Sequence, residues 1–324
     1  MRAQGKSKPH LVSVVVPLYN EGEGISILVE TLSYYANSGL PFDVEFIFVD
    51  DGSTDDSWNK LRQQDYNFDA TLLKLAKNTG SHIAVRAGFM QARGDYIVFL
   101  TADLQYSPEL LTKLYAQIVK GFNIVRAERN VQSYASILTK TTSRLYASLM
   151  RRFAIANYPK KGFDIIMFDR KVLKEMNDNI ETNSSVLLQL ISLGYAQDAV
   201  KIDVDERKFG SSKWTFSRKL KLSIDSFVAF SYFPIRMVSI LGALFFLLGL
   251  IGSAYLVIYE LIIGGLELGW PSIMCLLLMG FGITNISLGI LAEYLWRVLD
   301  SVNGRKPFVV DETLRFGEFE SRNK

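Results

Sequence analysis

The sequence predicts an α/β protein in which a mostly parallel sheet covered by helices is followed by two transmembrane helices. Two observations lead to this prediction. Short β-branched runs alternate with amphipathic stretches from residue 11 to residue 127, and such alternation is typical of a parallel sheet. Two long uncharged runs then follow Phe233, and each is long enough to cross a bilayer as a helix.

Turn residues divide the alternating part into elements. Pro17 is expected to terminate the first strand after Val16, and the Asp-Asp-Gly turn that begins at Asp50 is expected to terminate the second after Val49. The expected strands are Val12–Val16, Val44–Val49, Thr71–Leu75, Asp95–Leu100 and Asn123–Ala127, and the helices between them are Ile25–Ala36, Asp55–Gln64, Ser81–Ala92 and Ser107–Lys120. Beyond residue 130 we expect a helix over Ser133–Phe153, a strand over Phe163–Phe168 and a helix over Glu181–Leu193.

The two apolar runs predict a membrane anchor. Met237–Tyr259 has 23 residues without a charge, and Ser272–Ala292 has 21. Runs of about 18 or more such residues favour spanning helices over the alternative, a pair of buried core helices. Lys and Arg precede the first run and follow the second, whereas the connector between the runs has neither. Both chain ends are therefore expected in the cytoplasm. The flanking basic residues are Lys213, Arg218, Lys219, Lys221, Arg236, Arg297, Arg305 and Lys306.

These patterns predict a multi-pass protein of the cell membrane. The expected regions are a cytoplasmic domain (1–212), an interfacial amphipathic segment (213–233), two spans with a short external connector (234–299) and a cytoplasmic tail (300–324). The basic amphipathic helix over Trp214–Phe230 is expected at the membrane surface, with packing on the domain as the alternative. A single cysteine, Cys275, excludes an internal disulfide and a metal site built on thiolates. The net charge of +3 and the absence of a basic–aromatic module argue against nucleic acid as a partner.

Three acidic clusters follow strands of the predicted sheet. They are Pro17–Glu21 after the first strand, Asp50–Asp55 after the second and Thr101–Gln105 after the fourth. Ligands of parallel sheets bind beyond the carboxyl ends of the strands, so the clusters are expected on one rim. Carboxylate and amide oxygens suit a divalent ion that bridges phosphates. Asp50 and Asp51 could hold a base, a ribose or the metal shell, or could simply form a turn.

Four blocks of sequence carry a resemblance to a known family. VSVVVPLYNE, FVDDGSTDDS, GDYIVFLTADLQYSPE and RKFGSSKW resemble the family-2 glycosyltransferases, which have the GT-A fold. More closely, the chain is similar to the polyprenyl-phosphate glycosyltransferases, which include dolichol-phosphate mannose synthase and the bactoprenol glucosyltransferases of the GtrB type. The C-terminal spans, which end in LAEYLWRVLDSVNGRKPFVV, fit the GtrB type best. The resemblance runs from about residue 11 to residue 312.

The resemblance implies roles for the matched residues. Asp164 would be the catalytic base or would orient the acceptor, and Asp103 would hold the metal with Gln105. Thr101 departs from the family pattern, which has an aspartate there, and this departure implies weaker metal binding. The implied nucleotide-sugar residues are Pro17, Tyr19, Asn20, Glu21, Asp50, Asp51, Ala102 and Asp103, and the implied phosphate-binding residues are Arg126, Arg129, Arg207, Ser211, Ser212 and Lys213.

The implied reaction is inverting transfer of glucose from UDP-glucose to undecaprenyl phosphate at the cytoplasmic membrane face. It would depend on Mg²⁺ or Mn²⁺, and the resemblance further implies contact with membrane lipids and a homo-oligomer, such as a tetramer. Transfer of mannose from GDP-mannose and a non-catalytic protein that binds a sugar nucleotide or the lipid carrier stay open as alternatives. A processive polysaccharide synthase is disfavoured because the sequence has no Gln-x-x-Arg-Trp motif ahead of its apolar runs.

Overall fold

The structure, a computed structural model, divides the chain into two units. It describes residues 9–104, 106, 109–129, 137–159, 163–178, 184–202, 216–263, 270–303 and 306–317. The first unit comprises Met1–Ser226 and Lys306–Lys324, and the second comprises Phe227–Arg305. The last segment of the chain therefore returns to the unit in which the chain begins.

Up to β5 the elements follow one another along the chain as the alternation predicts. They are β1 Leu11–Leu18, α1 Ile25–Ala36, β2 Asp43–Asp50, α2 Ser57–Arg62, β3 Asp69–Leu75, α3 Ser81–Gln91, β4 Tyr96–Phe99, α4 Glu109–Ile118, β5 Ile124–Arg129, α5 Ile137–Phe153, β6 Phe163–Asp169, α6 Arg170–Asp178, α7 Val186–Ser192, β7 Gln197–Ile202, α8 Phe216–Phe230, α9 Phe233–Ile262, α10 Trp270–Asn303 and β8 Val310–Phe316. The sequence did not predict α6, β7 or β8, and the described part of the helix expected over Glu181–Leu193 begins only at Val186.

The strands form a mixed, mostly parallel sheet. Among the described residues it has eight strands in the order β7-β5-β6-β4-β1-β2-β3-β8. The strands β6 and β8 run antiparallel to their neighbours, and the others are parallel. The carboxyl ends of the parallel strands and the amino ends of β6 and β8 therefore lie along the same side of the sheet, where the strands end. We call this row of strand ends the rim.

Helices cover both faces of the sheet. The buried side chains of α1, α2 and α4 join one core with the alternate side chains Val12, Val14 and Val16 of β1. On the opposite face α3 lies so close to the sheet that a methyl group on Gly88 would stand 2.3 Å from Cγ1 of Val15. Burial on both faces explains why the central strands are continuous apolar runs.

The first strand continues through Pro17 and ends at Leu18, two residues beyond the expected end at Val16. On one side β1 pairs with β2 as far as Leu18, which lies opposite Asp50. On the other side the pairing with β4 ends at Val15. A proline that has no neighbouring strand beside its missing N–H costs no ladder hydrogen bond. Pro17 is therefore compatible with the strand and stands at its rim end.

A buried carboxylate links neighbouring strands at the end of the sheet opposite the rim. Glu45, which is 1% exposed, accepts hydrogen bonds from the Ser13 hydroxyl at 2.5 Å and from the Arg93 amide and Nε, both at 2.8 Å. The Arg93 Nη2 donates to the same carboxylate. Charge-assisted, bidentate contacts of this kind are among the stronger hydrogen bonds in proteins. This cluster fixes the start of β4 against β1 and β2.

Glu45→Gln is expected to lower the free energy of unfolding by about 2 kcal/mol, because it removes the charge that the Arg93 guanidinium, the Arg93 amide and the Ser13 hydroxyl face. The value is set below that of a fully buried pair because the Arg93 side chain is 33% exposed. Urea denaturation measures the change, and Glu30→Gln, on the exposed face of α1, is the matched control. Equal midpoints for the two variants would contradict the prediction.

The second unit consists mainly of the helices α9 and α10. Within it, the hydroxyl of Tyr294 donates to the carbonyl of Ser231 at 2.9 Å. Among the residues that the structure describes, no helix on its own combines the length and the hydropathy that a membrane span needs. One bent pair, Ser223–Phe230 with Phe233–Gly242, combines them by length and composition only. The two expected spans and the domain boundaries therefore stay predictions.

Candidate active site

The rim brings together most of the residues singled out from the sequence. The loop after β1 carries Tyr19–Glu21, the loop after β2 begins at Asp51, and the loop after β4 carries Thr101–Asp103. Because β6 runs antiparallel to β4, its second residue, Asp164, also lies at this edge. Sequence spacing alone gives no indication of this last juxtaposition.

Asn20 links the loops after β1 and β2. Its backbone is in the left-handed region, with φ of 52°, a conformation that Asn tolerates better than most residues. Its amide donates to the Ser53 hydroxyl at 2.9 Å, and its side-chain oxygen accepts from the Thr54 amide at 2.8 Å. The two loops therefore form one connected surface.

Asp50 is buried beneath this surface. Its carboxylate accepts from the Ser53 hydroxyl and, at 3.3 Å, from the Ser53 amide. Burial raises the pKa of Asp50 above its ordinary value, while the Ser53 hydrogen bonds and the charge of Lys74 act in the opposite sense. In this structure Asp50 holds Ser53 and so shapes the loop after β2, and its implied contact with a nucleotide stays a prediction.

Glu21 marks the contact between the first loop and α2. The Glu21 amide donates to the Ser57 hydroxyl at 2.9 Å, and that hydroxyl donates to the Asp55 carboxylate at 2.5 Å. These bonds engage the backbone of Glu21 and leave its side chain partly exposed. Pro17 and Tyr19 are also partly exposed at the rim, and the role that the resemblance implies for them stays a prediction.

Asp51 anchors the loop that follows β3. Its carboxylate accepts from the Thr79 amide at 2.7 Å, the Thr79 hydroxyl at 2.8 Å and the Gly80 amide at 2.8 Å. Burial raises the pKa of Asp51, and these three hydrogen bonds oppose the shift. Only 3% of the residue is exposed. Asp51 therefore anchors the loop after β3, and the contact with the nucleotide sugar that the resemblance implies for it stays a prediction.

The loop after β4 carries the implied metal ligand. The Thr101 hydroxyl donates to Asp103 Oδ1 at 2.6 Å, and Asp103 is partly exposed. Ala102 packs against the core below. The next residue, Leu104, is buried with φ of 52°, a strained conformation for this residue type. Gln105, the second implied metal ligand, lies outside the described residues.

Tyr106 connects this loop with Asp164. Its hydroxyl donates to Asp164 Oδ2 at 3.0 Å, and only 7% of the residue is exposed. The ring lines a small apolar cavity together with side chains from β1, α1 and Leu104. The sequence drew no attention to Tyr106, since one aromatic residue in a loop carries no signal by itself.

The implied phosphate-binding residues are only partly described. The Arg126 Nη1 donates to the Gln197 side chain at 2.6 Å, and its Nη2 lies 3.6 Å from Glu128. Arg126 thus contacts the neighbouring strand, whereas Arg129 ends β5 at the rim. Arg207, Ser211, Ser212 and Lys213 lie outside the described residues.

A divalent ion fits the rim through one protein carboxylate. Within the described ranges, no group of three or more His, Cys, Asp or Glu side chains could hold a metal. An ion of the Mg²⁺ type that binds nucleotide phosphates usually keeps several waters and takes only one or two carboxylates from the protein. Asp103, partly exposed and next to a hydroxyl, meets this requirement.

Comparison with known proteins decides the family. The model of glycosyl transferase family 2 matches residues 13–177, which carry the three acidic clusters and Asp164. The chain belongs to this family. As a family-2 glycosyltransferase it is a transferase enzyme, which confirms the resemblance seen in the sequence.

Relatives extend the match over almost the whole chain. The uncharacterized glycosyltransferase YkcC of Bacillus subtilis is 30% identical over 93% of both chains. The undecaprenyl-phosphate 4-deoxy-4-formamido-L-arabinose transferase of Photorhabdus laumondii is 30% identical over 94% of both. Among solved structures, glucosyl-3-phosphoglycerate synthase from Mycobacterium tuberculosis, in complex with Mn²⁺, UDP-glucose and phosphoglyceric acid, has a TM-score of 0.47 at 16% identity, over 68% of this family-2 chain and 78% of its own.

Proposed function

We propose that this family-2 glycosyltransferase moves a sugar from a nucleoside diphosphate to a polyprenyl phosphate, and that the first reaction to test is glucose transfer from UDP-glucose to undecaprenyl phosphate. The observation that carries the proposal is the rim, where the neighbouring strands β2, β1 and β4 lead into Asp50, Asn20 and Asp103, and where β6, beside β4, begins with Asp164 as its second residue. The acceptor is supported by a relative named for undecaprenyl phosphate that aligns with 94% of the chain, well beyond residue 177.

The donor sugar is the open part of the proposal. UDP-glucose is the expectation from the sequence, and GDP-mannose is its alternative. The name of the Photorhabdus laumondii relative adds 4-deoxy-4-formamido-L-arabinose as a third sugar. These sugars differ in their hydroxyl pattern, and a site built to hydrogen-bond one substrate discriminates strongly against an analogue that leaves its polar groups unpaired. A panel of donors therefore decides among them.

Asp103 is the residue that would hold Mg²⁺ or Mn²⁺, with Thr101 beside it. When bound, the ion supplies positive charge next to the diphosphate leaving group. Dependence on the ion, and the choice between Mg²⁺ and Mn²⁺, are part of the proposal. The described carboxylates match the demand for oxygen ligands, and Cys275 is the chain's only cysteine.

The acceptor needs little activation. A phosphate monoester has a second pKa near about 6, so it is largely dianionic at neutral pH. Asp164, held by Tyr106, would orient the acceptor or take a residual proton. A single displacement at the sugar carbon needs no covalent nucleophile. Loss of Asp164 is therefore expected to cost less activity than loss of Asp103.

We also propose that the second unit anchors the enzyme in the cell membrane with the first unit in the cytoplasm. Apolar side chains on its helices are widely exposed, among them Leu261 at 81%, Ile262 at 76% and Phe281 at 65%. Exposed apolar surfaces of this extent favour lipid over water. Both chain connections of the second unit lead to the first unit, which requires an even number of crossings. The proposed membrane-surface role of α8 and the homo-oligomer stay predictions.

The test is a transfer assay with the full-length protein in detergent or nanodiscs. Radiolabelled UDP-glucose, GDP-mannose and nucleotide-linked 4-deoxy-4-formamido-L-arabinose are offered separately with undecaprenyl phosphate, with Mg²⁺ or Mn²⁺ and with EDTA. We expect label in the lipid fraction from one donor, and its loss with EDTA. Nucleotide binding without transfer from any donor would support the non-catalytic alternative and contradict the proposal.

Tyr106→Phe is expected to lower kcat about tenfold and to leave nucleotide affinity unchanged. The substitution keeps the buried ring but removes the donor to Asp164, so the carboxylate loses its fixed orientation. Steady-state kinetics and calorimetric titration with UDP separate the two effects. Tyr66→Phe is the matched control, because its hydroxyl donates to the Leu61 carbonyl away from the rim. Equal kcat values for both variants would refute the role of Tyr106.

A further inference from the structure

The sheet is completed by a strand that lies far outside the family match. That match ends at residue 177, whereas β8 comes from Val310–Phe316, after the second unit. It pairs antiparallel with β3 from Ala70, opposite Phe316, to Leu75, opposite Val310. The Ala76 amide extends the ladder with a hydrogen bond to the Val309 carbonyl at 3.0 Å. Strand β8 therefore begins beside the loop that Asp51 anchors.

The side chains of β8 alternate between the two faces of the sheet. Glu312, Leu314 and Phe316 are half-buried, and the residues between them are exposed. Leu314 and Phe316 pack against the core shared with α1 and α2. The Glu312 carboxylate accepts a hydrogen bond from Trp58 Nε1 at 3.0 Å. Since Trp58 is only 6% exposed, this bond gives a buried indole N–H its partner.

Trp58 lies in the first turn of α2, next to Ser57. The Ser57 hydroxyl accepts a hydrogen bond from the Glu21 amide, in the loop after β1, and donates one to the Asp55 carboxylate. Glu312 also lies 3.7 Å from Arg62 in the last turn of α2, an exposed contact of small value. A side chain of β8 thus holds the short helix whose amino end supports the loop after β1.

We propose that Glu312 is a positioning residue for the nucleotide-binding half of the rim, acting through Trp58 and α2 on Ser57 and Glu21. The inference rests on the proposed function, because it assigns the loop after β1 to the nucleotide donor. The segment that follows the second unit then contributes to nucleotide binding by the transferase, in addition to adding the last strand to the sheet.

Two pairs of variants test this role. Glu312→Leu and Trp58→Phe each remove the hydrogen bond, whereas Glu312→Gln keeps an acceptor oxygen for the indole. Thr313→Val, on the opposite face of β8, is the matched control. We expect the first two variants to raise the Kd for UDP about three- to tenfold, the range for loss of one hydrogen bond. Glu312→Gln is expected to keep the Kd for UDP within about twofold of the wild-type value.

Kinetics and amide exchange separate positioning from general destabilisation. With the donor that the transfer assay identifies, KM for that donor is expected to rise while kcat changes little. The Asn20 and Glu21 amides, which donate to Ser53 and Ser57, are expected to exchange faster in Glu312→Leu, with the β1 amides unchanged. Unchanged affinity and exchange in a folded Glu312→Leu protein would overturn the inference. If the wild type transfers no sugar, the proposed function fails, while UDP affinity and exchange still decide the role of Glu312.

Discussion

Asp103→Asn is expected to lower turnover by a factor on the order of 10² to 10³, because it removes the only described carboxylate of the β4 loop at the rim. An amide keeps the size of the side chain and one acceptor oxygen but loses the negative charge that attracts a divalent ion. The fall is expected in kcat, and the metal concentration for half-maximal activity is expected to rise. The transfer assay across a Mn²⁺ series measures both quantities.

Asp65→Asn, an exposed carboxylate away from the rim, is the matched control and is expected to retain wild-type kinetics. Thr101→Asp changes the same loop in the opposite direction. The Thr101 hydroxyl lies 2.6 Å from Asp103, so an aspartate there would place a second carboxylate next to the first and is expected to tighten metal binding. If Asp103→Asn keeps its activity and its response to EDTA, Asp103 is not the metal ligand.

Gly52→Ala is expected to lower the free energy of unfolding by roughly 2 to 5 kcal/mol and to abolish measurable nucleotide binding. Gly52 has φ of 66°, and a methyl group there would lie 2.5 Å from the Lys77 carbonyl carbon and 2.7 Å from the Asn78 nitrogen. Both are backbone atoms, so a side-chain rotation does not relieve the contact. The loops after β2 and β3 would have to separate, although Asp51 ties them together.

Gly39→Ala separates the two causes of this effect. Gly39 also has positive φ, 73°, but a methyl group there would meet nothing within 4 Å. Its substitution is expected to cost only the backbone strain, about 1 kcal/mol, and to leave UDP affinity unchanged. Thermal unfolding and calorimetric titration of both variants make the comparison. Equal losses at the two positions would show that close packing of the loops contributes nothing.

The sequence predicted the first half of the sheet well because periodicity and turn residues act locally. The prediction for α1 agrees with the structure at both ends, and β1 differs from it mainly by continuing through Pro17. Strand direction is a different matter. The antiparallel course of β6 depends on long-range pairing with β4 and β5, and a short apolar run such as Phe163–Phe168 carries no information about its neighbours.

The candidate site was predicted in part for a related reason. Carboxylates after strands indicated the rim, and this location follows from topology. Whether a given carboxylate faces the ligand or the protein is decided by tertiary hydrogen bonds. Asp51 binds Thr79 and Gly80, which lie in the loop of another strand, so residue type alone did not identify it as an anchor. Tyr106 was missed because its partner, Asp164, is 58 residues away.

The return of the chain to the first unit has a consequence for biosynthesis. A ribosome releases β8 only after the residues of α9 and α10 have been made, so the edge of β3 that faces away from β2 stays unpaired throughout that interval. Unpaired edges are templates for wrong pairing with other chains. The sheet of the first unit, whose synthesis begins first, is therefore completed only after α10 has been made. A nascent chain that stalls within α10 would leave this edge of β3 without its partner strand and open to such pairing.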